Sequence, residues 1–331
     1  MVSGPLPTVE DVREAAQRIA GKAVRTPLLE SAALNRRVGG RVLVKAEALQ
    51  RTGSFKFRGA YNRVSRLTSA ERPGGVVAFS SGNHAQGVAA AAQIEGVPAV
   101  IVMPADAPDM KIAGTKSYGA KVVTYDRLRE SREAIGARIA GERGAVLVKP
   151  YDDFHVIAGQ GTTGLEIAAD LAALGMKPDA VITPASGGGL NAGIGLAMHQ
   201  AFPAAALYTA EPEGFDDHAR SFAAGHRVPH DGKATTFCDA LMAPEPGELT
   251  FAVARPNQTG GLVASDTETA RAMAAAFADL KLVLEPGGAV ALACVLAGRI
   301  AVKDRVVVVI ASGGNVDPAV FAQALRTAGP P

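Results

Sequence analysis

Short runs of β-branched and other apolar residues alternate with longer, Ala-rich amphipathic stretches along most of the chain. The runs Arg41–Lys45, Gly75–Phe79, Ala99–Met103, Ala120–Thr124, Ala145–Val148, Ala180–Thr183, Ala206–Ala210 and Arg305–Ala311 predict strands. The stretches Ser54–Leu67, Asn83–Glu95, Asp109–Tyr118, Arg127–Gly141, Val156–Leu174, Leu190–Gln200 and Thr267–Asp279 predict the helices between them. An earlier helix, Val9–Ile19, follows Thr8 as N-cap and carries Glu10 and Asp11 in its first turn, where acidic side chains favour the helix dipole. Strand runs that are apolar throughout predict an α/β fold with parallel-rich twisted sheets covered by helices on both faces. The rhythm breaks between Glu211 and Gly261. Gly, Pro and polar clusters such as Pro244-Glu245-Pro246-Gly247 predict irregular connections there, with one strand near Leu249–Val253. No repeat of a 20–50 residue period is present, and Gly329-Pro330-Pro331 reads as a frayed tail.

Length and charge narrow the class. A chain of 331 residues suggests two domains or one large one, with a core that needs no disulfide or structural metal. Basic and acidic side chains, 34 and 32, nearly cancel to +2, which argues against an electrostatic nucleic-acid binder. The two cysteines, Cys238 and Cys294, form no CxxC pair, so a reducing cytoplasm is the simplest setting. Met1–Thr8 lacks the basic and apolar regions of a signal peptide, and no run reaches the ~18 apolar residues of a membrane span. A cytoplasmic protein with no membrane or nucleic-acid partner is the expectation.

The candidate chemistry sits where predicted strands end and helices begin, the usual ligand position in open α/β sheets. In Thr52-Gly53-Ser54-Phe55-Lys56-Phe57-Arg58-Gly59-Ala60, a lysine between two phenylalanines is a partly desolvated amine, and so a better nucleophile. Taken alone, the segment reads more simply as a helix whose Lys56 snorkels to solvent. Phe79-Ser80-Ser81-Gly82-Asn83-His84 puts more small and polar groups at a helix start than a cap requires, leaving N–H groups for a carboxylate. Ser186-Gly187-Gly188-Gly189-Leu190 is neither GxGxxG nor a Walker sequence, yet its glycines let the backbone curl N–H groups around a phosphate. Ser312, after the most apolar strand, places a small hydroxyl at a strand end. Glu211-Pro212-Glu213-Gly214-Phe215-Asp216-Asp217 is acidic enough for a hard cation, although a solvated loop is the commoner explanation. A lysine and a glycine phosphate cup together imply pyridoxal phosphate (PLP), which needs both, and a partner for its pyridine nitrogen.

On these residues, and above all on Ser-Phe-Lys-x-Arg-Gly-Ala at Ser54–Ala60, the chain resembles the PLP-dependent threonine/serine dehydratase (ammonia-lyase) family, which includes serine racemase-like enzymes. The resemblance runs from about residue 8 to residue 326. It implies the two-domain fold type II architecture, tryptophan synthase beta-like. Residues 1–49 and 151–331 would form a large PLP-binding domain and residues 50–150 a small one, with the cofactor between them. It makes Lys56 the Schiff-base lysine and Cα base and Ser81 the acid/base of the opposite face. Phe55, Asn83, Ser186–Leu190 (Ser186, Gly187, Gly188, Gly189, Leu190) and Ser312 would hold the cofactor. Ser80, Ser81, Gly82, Asn83 and Arg132 would hold the substrate, and Glu211, the Phe215 carbonyl and Asp217 a divalent cation such as Mg2+. Phe79 stands where racemase-like members have His, and Ala240 where many have Gly. The implied activity is dehydration and deamination of L-threonine and L-serine to 2-oxo acids, by a homodimer without the appended regulatory domain. Serine racemization, dehydration of a 3-hydroxyaspartate and a non-catalytic PLP sensor are the alternatives.

Overall fold

A computed structural model describes residues 4–328. Its strands are β1 (Leu28–Glu30), β2 (Arg41–Lys45), β3 (Val76–Phe79), β4 (Ala99–Pro104), β5 (Lys121–Tyr125), β6 (Val146–Leu147), β7 (Ala180–Pro184), β8 (Ala206–Pro212), β9 (Gly260–Ala264) and β10 (Val306–Ile310). They form two sheets. The six-stranded sheet has the order β1-β2-β10-β7-β8-β9 and the four-stranded sheet the order β5-β4-β3-β6. Every pairing is parallel except β1 with β2. The smaller sheet is drawn entirely from residues 76–147, and the larger one from the chain on either side.

The continuous apolar strands are explained by burial on both faces. In β10, Val307 and Val309 enter one core with the helix Pro286–Leu296, while Val308 and Ile310 enter another with Ile167 and Leu171. In β3, Val76 and Ala78 face the helices Lys56–Val64 and Asn83–Glu95, while Val77 and Phe79 face the helix Arg132–Arg143. Side chains alternate across a strand, so two cores demand apolar residues at every position.

The helices Val9–Ile19 and Asn83–Glu95 have the predicted bounds. The first has a reciprocal capping box between Thr8 and Asp11. The helix expected from Arg127 starts only at Arg132, because Ser131 caps it by accepting from the Ala134 N–H at 3.1 Å. The strand expected at Leu249–Val253 is instead part of a helix, Glu248–Ala254. Its first free N–H groups, on Leu249 and Thr250, donate to the distant Asp152 Oδ1 at 2.8 and 3.2 Å, a cap that local sequence does not display. The Gly329-Pro330-Pro331 tail lies outside the described residues.

Candidate active site

The C-terminal ends of β3, β7 and β10 converge on a cleft of about 300 Å³ between the two sheets. Every residue expected to hold cofactor or substrate lines it: Phe55, Lys56, Ser80–Asn83 (Ser80, Ser81, Gly82, Asn83), Arg132, Ser186–Leu190 and Ser312. Glu211, Phe215 and Asp217 do not; they lie at and beyond the end of β8.

Lys56 starts the helix Lys56–Val64. The chain before it is stitched to the end of β10: Ser54 forms a bridge with Gly313, and the Phe55 N–H donates to the Ser312 carbonyl at 3.0 Å. The Lys56 Nζ lies 5.0 Å from the Phe55 ring centroid and donates to the Pro150 carbonyl at 2.7 Å. Burial pulls its ammonium down to about 8, against the opposing attraction of Glu285. Two residues on, Arg58 is fully buried and forks onto both Glu47 oxygens at 2.7 and 2.8 Å and both Glu166 oxygens at 2.7 and 2.9 Å. His84 stays a neutral imidazole, because burial and the nearby Lys56 lower it to about 3. Its Nε2 meets the Val148 carbonyl at 3.0 Å and so carries the ring proton.

The glycine loop is a cradle in which side chains would not fit. A Cβ on Gly187 would fall far inside 3.0 Å of the Tyr151 ring, and one on Gly188 would meet His218 and Thr250 at 2.8 Å. Gly188 also has φ +93, in the left-handed region that favours glycine. It caps the helix Gly189–Ala201, whose first-turn N–H groups have no carbonyl to reach within the helix. His218 supports the loop from behind, with Nε2 at 2.6 Å from the Ser186 carbonyl, and the Thr250 hydroxyl donates to the Gly187 carbonyl at 2.6 Å. The donor set is an anion seat at a helix N-terminus, an accessible amine and a neutral hydroxyl on Ser312. It suits a phosphate-bearing aldehyde cofactor.

A model of the family described as "Pyridoxal-phosphate dependent enzyme" matches residues 19–313. The chain belongs to that family. This PLP enzyme is 43% identical to an L-threo-3-hydroxyaspartate ammonia-lyase of Pseudomonas sp over 97% of this chain and 99% of the relative. Its fold matches a solved threonine deaminase from T.th. with a TM-score of 0.88 and 42% identity, over 94% of this chain and 99% of that one. Maize serine racemase matches with a TM-score of 0.91 and 37% identity, over 97% and 98%. The architecture is fold type II, and the enzyme falls within the ammonia-lyase and racemase group of PLP enzymes.

Several residues of the PLP enzyme's cleft carry no obvious mark in the sequence. Glu285 is buried at the N-cap of the helix Pro286–Leu296, and burial pushes its carboxyl up to about 7. It accepts from Asn83 Nδ2 at 2.5 Å, and Asn83 Oδ1 accepts from Asn315 Nδ2 at 2.8 Å. An acid directly before Pro-Gly-Gly at a helix start is the one local clue. Lys111, Arg127, Tyr151 and Asp239 also line the cleft. Of these, only Asp239 adjoins a position, Ala240, that the family resemblance singles out.

Behind the phosphate cradle, the buried Glu211 accepts from the N–H groups of His218 and Ala219 at 2.7 and 2.8 Å. Burial and the neighbouring Asp217 push Glu211 well above the usual carboxylate range, and burial pushes Asp217 up to about 7. Asp217 Oδ2 is buried with no hydrogen-bond partner among the described residues. A hard cation would relieve both the repulsion and that orphaned oxygen. No group of three or more His, Cys, Asp or Glu side chains that could hold a metal exists among the described residues, so a cation here would need the Phe215 carbonyl or water. No helix among the described residues is long and apolar enough to cross a membrane.

Proposed function

We propose that the enzyme deaminates a β-hydroxy-α-amino acid carrying a second carboxylate, of the 3-hydroxyaspartate type, by loss of the β-hydroxyl as water followed by hydrolytic release of ammonia. The observation that carries this reading is the basic lining of the cleft. Lys111, Arg127 and Arg132 face it together with Asp239 and Glu285; Lys111 pairs with Asp239 at 2.7 Å and Arg127 with Asp106 at 2.8 Å, whereas Arg132 spends only its Nε on Glu133, at 2.8 Å. Its guanidinium sits 5.5 Å from the centroid of Phe79, and its two amino groups have no protein acceptor among the described residues. A planar fork is suited to a second carboxylate. Phe79, where racemase-like members carry His, gives that guanidinium an aromatic floor. The 43% identity to a hydroxyaspartate ammonia-lyase supports the same ranking. L-Threonine and L-serine, placed first by the family resemblance, form the second reading, supported by the likeness to a threonine deaminase.

The residues divide the work. The N–H groups of Gly187–Leu190 would hold the cofactor phosphate, and Phe55, Asn83 and Ser312 its ring. When bound, pyridoxal phosphate supplies an electron sink for negative charge at Cα. Lys56 removes the Cα proton. Burial lowers its amine to about 8, which favours the free base that the step requires. The Ser80 N–H is spent on the Val102 carbonyl at 3.1 Å and the Gly82 N–H on Ser80 Oγ at 3.2 Å, so the Ser81 and Asn83 N–H groups are the ones that would hold the α-carboxylate, and Ser81 stands ready as a second acid/base. Its hydroxyl makes no hydrogen bond to protein among the described residues. Loss of the β-hydroxyl as water and hydrolytic release of ammonia leave a 2-oxo diacid. We also assign a divalent cation to Glu211, Asp217 and the Phe215 carbonyl, where it would brace the cradle through His218 and Ser186.

The test is 2-oxo acid release from L-threo-3-hydroxyaspartate, L-threonine and L-serine, with Lys56→Ala as control. We expect kcat/KM for the diacid to exceed both others by about tenfold or more, the worth of a good charged hydrogen bond. Lys56→Ala should abolish turnover and the visible band of bound cofactor. Preference for threonine or serine would establish the second reading. Cofactor binding without turnover of any of the three would make the protein a PLP sensor.

A further inference from the structure

The Lys111–Asp239 ion pair crosses the mouth of the cleft. Lys111 belongs to the helix Asp109–Ser117, which packs with the four-stranded sheet, while Asp239 belongs to the loop that continues into the cleft wall at Ala240–Ala243. The Lys111 Nζ lies 2.7 Å from Asp239 Oδ2. The two ends differ in setting: the lysine side chain is 10% exposed and the aspartate side chain 52%. The lysine stem runs over the carboxylate-binding loop, with its Cδ 3.3 Å and its Nζ 3.6 Å from where a Gly82 Cβ would stand. An ammonium has three donors, and Asp239 is the single side-chain acceptor that Lys111 has among the described residues. The buried Glu285 also attracts the Lys111 ammonium across the cleft, but the one carboxylate hydrogen-bonded to it is the half-exposed Asp239, so the cation is poised to change that partner. Asp239 costs little to release because water solvates it at once.

We propose that Lys111 and Asp239 form an exchangeable latch, in which the second carboxylate of a dicarboxylic substrate takes the Lys111 ammonium from Asp239. Lys111 is then a specificity residue for the diacid, and Asp239 an internal competitor that sets how strongly a diacid must bind. Arg132 and Lys111 would hold that carboxylate between them. A substrate without a second carboxylate leaves the latch closed. This inference rests on the diacid reading of the site, and it adds the requirement that Asp239 oppose diacid binding.

The experiment uses the PLP-loaded enzyme and two probes, L-threo-3-hydroxyaspartate for turnover and succinate for binding by calorimetry. Lys111→Met should weaken succinate about tenfold or more, and lower the diacid-to-serine ratio of kcat/KM by a similar factor. Asp239→Asn should act in the opposite direction. It should tighten succinate roughly two- to fivefold, the worth of a half-exposed ion pair, and raise the same ratio. Opposite shifts from the two ends of one ion pair do not follow from a merely structural role, in which both variants lose together. Equal losses for diacid and serine in Lys111→Met would place the ammonium on the α-carboxylate and overturn the latch. So would unchanged or weaker succinate binding in Asp239→Asn, or no succinate binding by the wild type. Failure of the diacid reading appears separately, as wild-type preference for threonine or serine. Succinate binding still decides the latch in that case.

Discussion

Removing the Arg58 guanidinium should cost the fold several kilocalories per mole. Arg58 is fully buried, and so is Glu47, which it grips through two hydrogen bonds of 2.7 and 2.8 Å. Glu166 takes two more, at 2.7 and 2.9 Å, and also pairs with the buried Lys45 at 2.7 Å. Lys45 also lies 3.6 Å from Asp170, so two buried cations serve three carboxylates here. In Arg58→Met the stem is replaced by a chain of similar shape, but Glu47 loses its ionic partner without gaining water. Breaking one side of a buried pair costs about 3–5 kcal/mol. With an unfolding entropy of about 2.1 cal/mol/K per residue, 331 residues give about 0.7 kcal/mol/K, so the melting midpoint should fall by about 4–7 °C. Scanning calorimetry of the apoprotein measures this. The double variant Arg58→Met/Glu47→Gln should recover most of the loss, because no buried charge is then left alone. A midpoint lowered by less than 1 °C, or a double variant worse than the sum of the singles, would refute the idea that Glu47 depends on Arg58. Arg58 lies two residues beyond Lys56 on the same helix, so the same variant should also release the cofactor faster on dialysis.

Gly187→Ala should fold but retain cofactor poorly, since its Cβ would collide with the Tyr151 ring and shift the cradle. Absorbance of bound cofactor after dialysis reads this out, and retention equal to wild type would dismiss the cradle. His84 and His218 are held neutral at about 3 and about 4, below their ordinary 6.5, so the unfolded chain binds their protons first as pH falls. Their contribution to stability is intact above about 6.5 and is lost progressively towards pH 4 for His218 and pH 3 for His84. The melting midpoint of the wild type should therefore drop over that window more steeply than that of His84→Asn. Excess chelator should lower the midpoint of protein purified with divalent cation, and Asp217→Asn should abolish that response. An unchanged curve would remove the cation from Glu211 and Asp217 and leave them as two raised carboxyls packed behind the cradle.

The β/α alternation, the parallel sheets and the strand-end position of the site could all be read from the chain, because burial on both faces leaves an unbroken apolar run that periodicity detects. Glu248–Ala254 was not readable as a helix, since Asp152, nearly a hundred residues upstream, supplies its cap. The glycine loop and the Lys56 segment announce themselves by composition. Glu285, Lys111 and Tyr151 do not, because each acts through a partner that only the fold brings near: Asn83, Asp239 and Gly187. Arg58 stood inside the most telling segment of the sequence, yet its role emerged only with the two distant carboxylates it joins.

The stitch between residues 54–55 and 312–313 has a mechanical consequence. It welds the amine-bearing segment to the strand end that carries Ser312, so the proton-moving lysine and the hydroxyl for the ring travel as one rigid piece. The smaller sheet carries other things: the Ser80–Asn83 loop, Lys111 and Arg132. Any rocking of one sheet against the other would therefore shift Lys111 and Arg132, together with Ser81 and Asn83, relative to the strand end that carries Ser312. Lys111 and Arg132 lie off the stitch, so side-chain preference can be retuned at those two positions without disturbing the join between the Lys56 segment and Ser312.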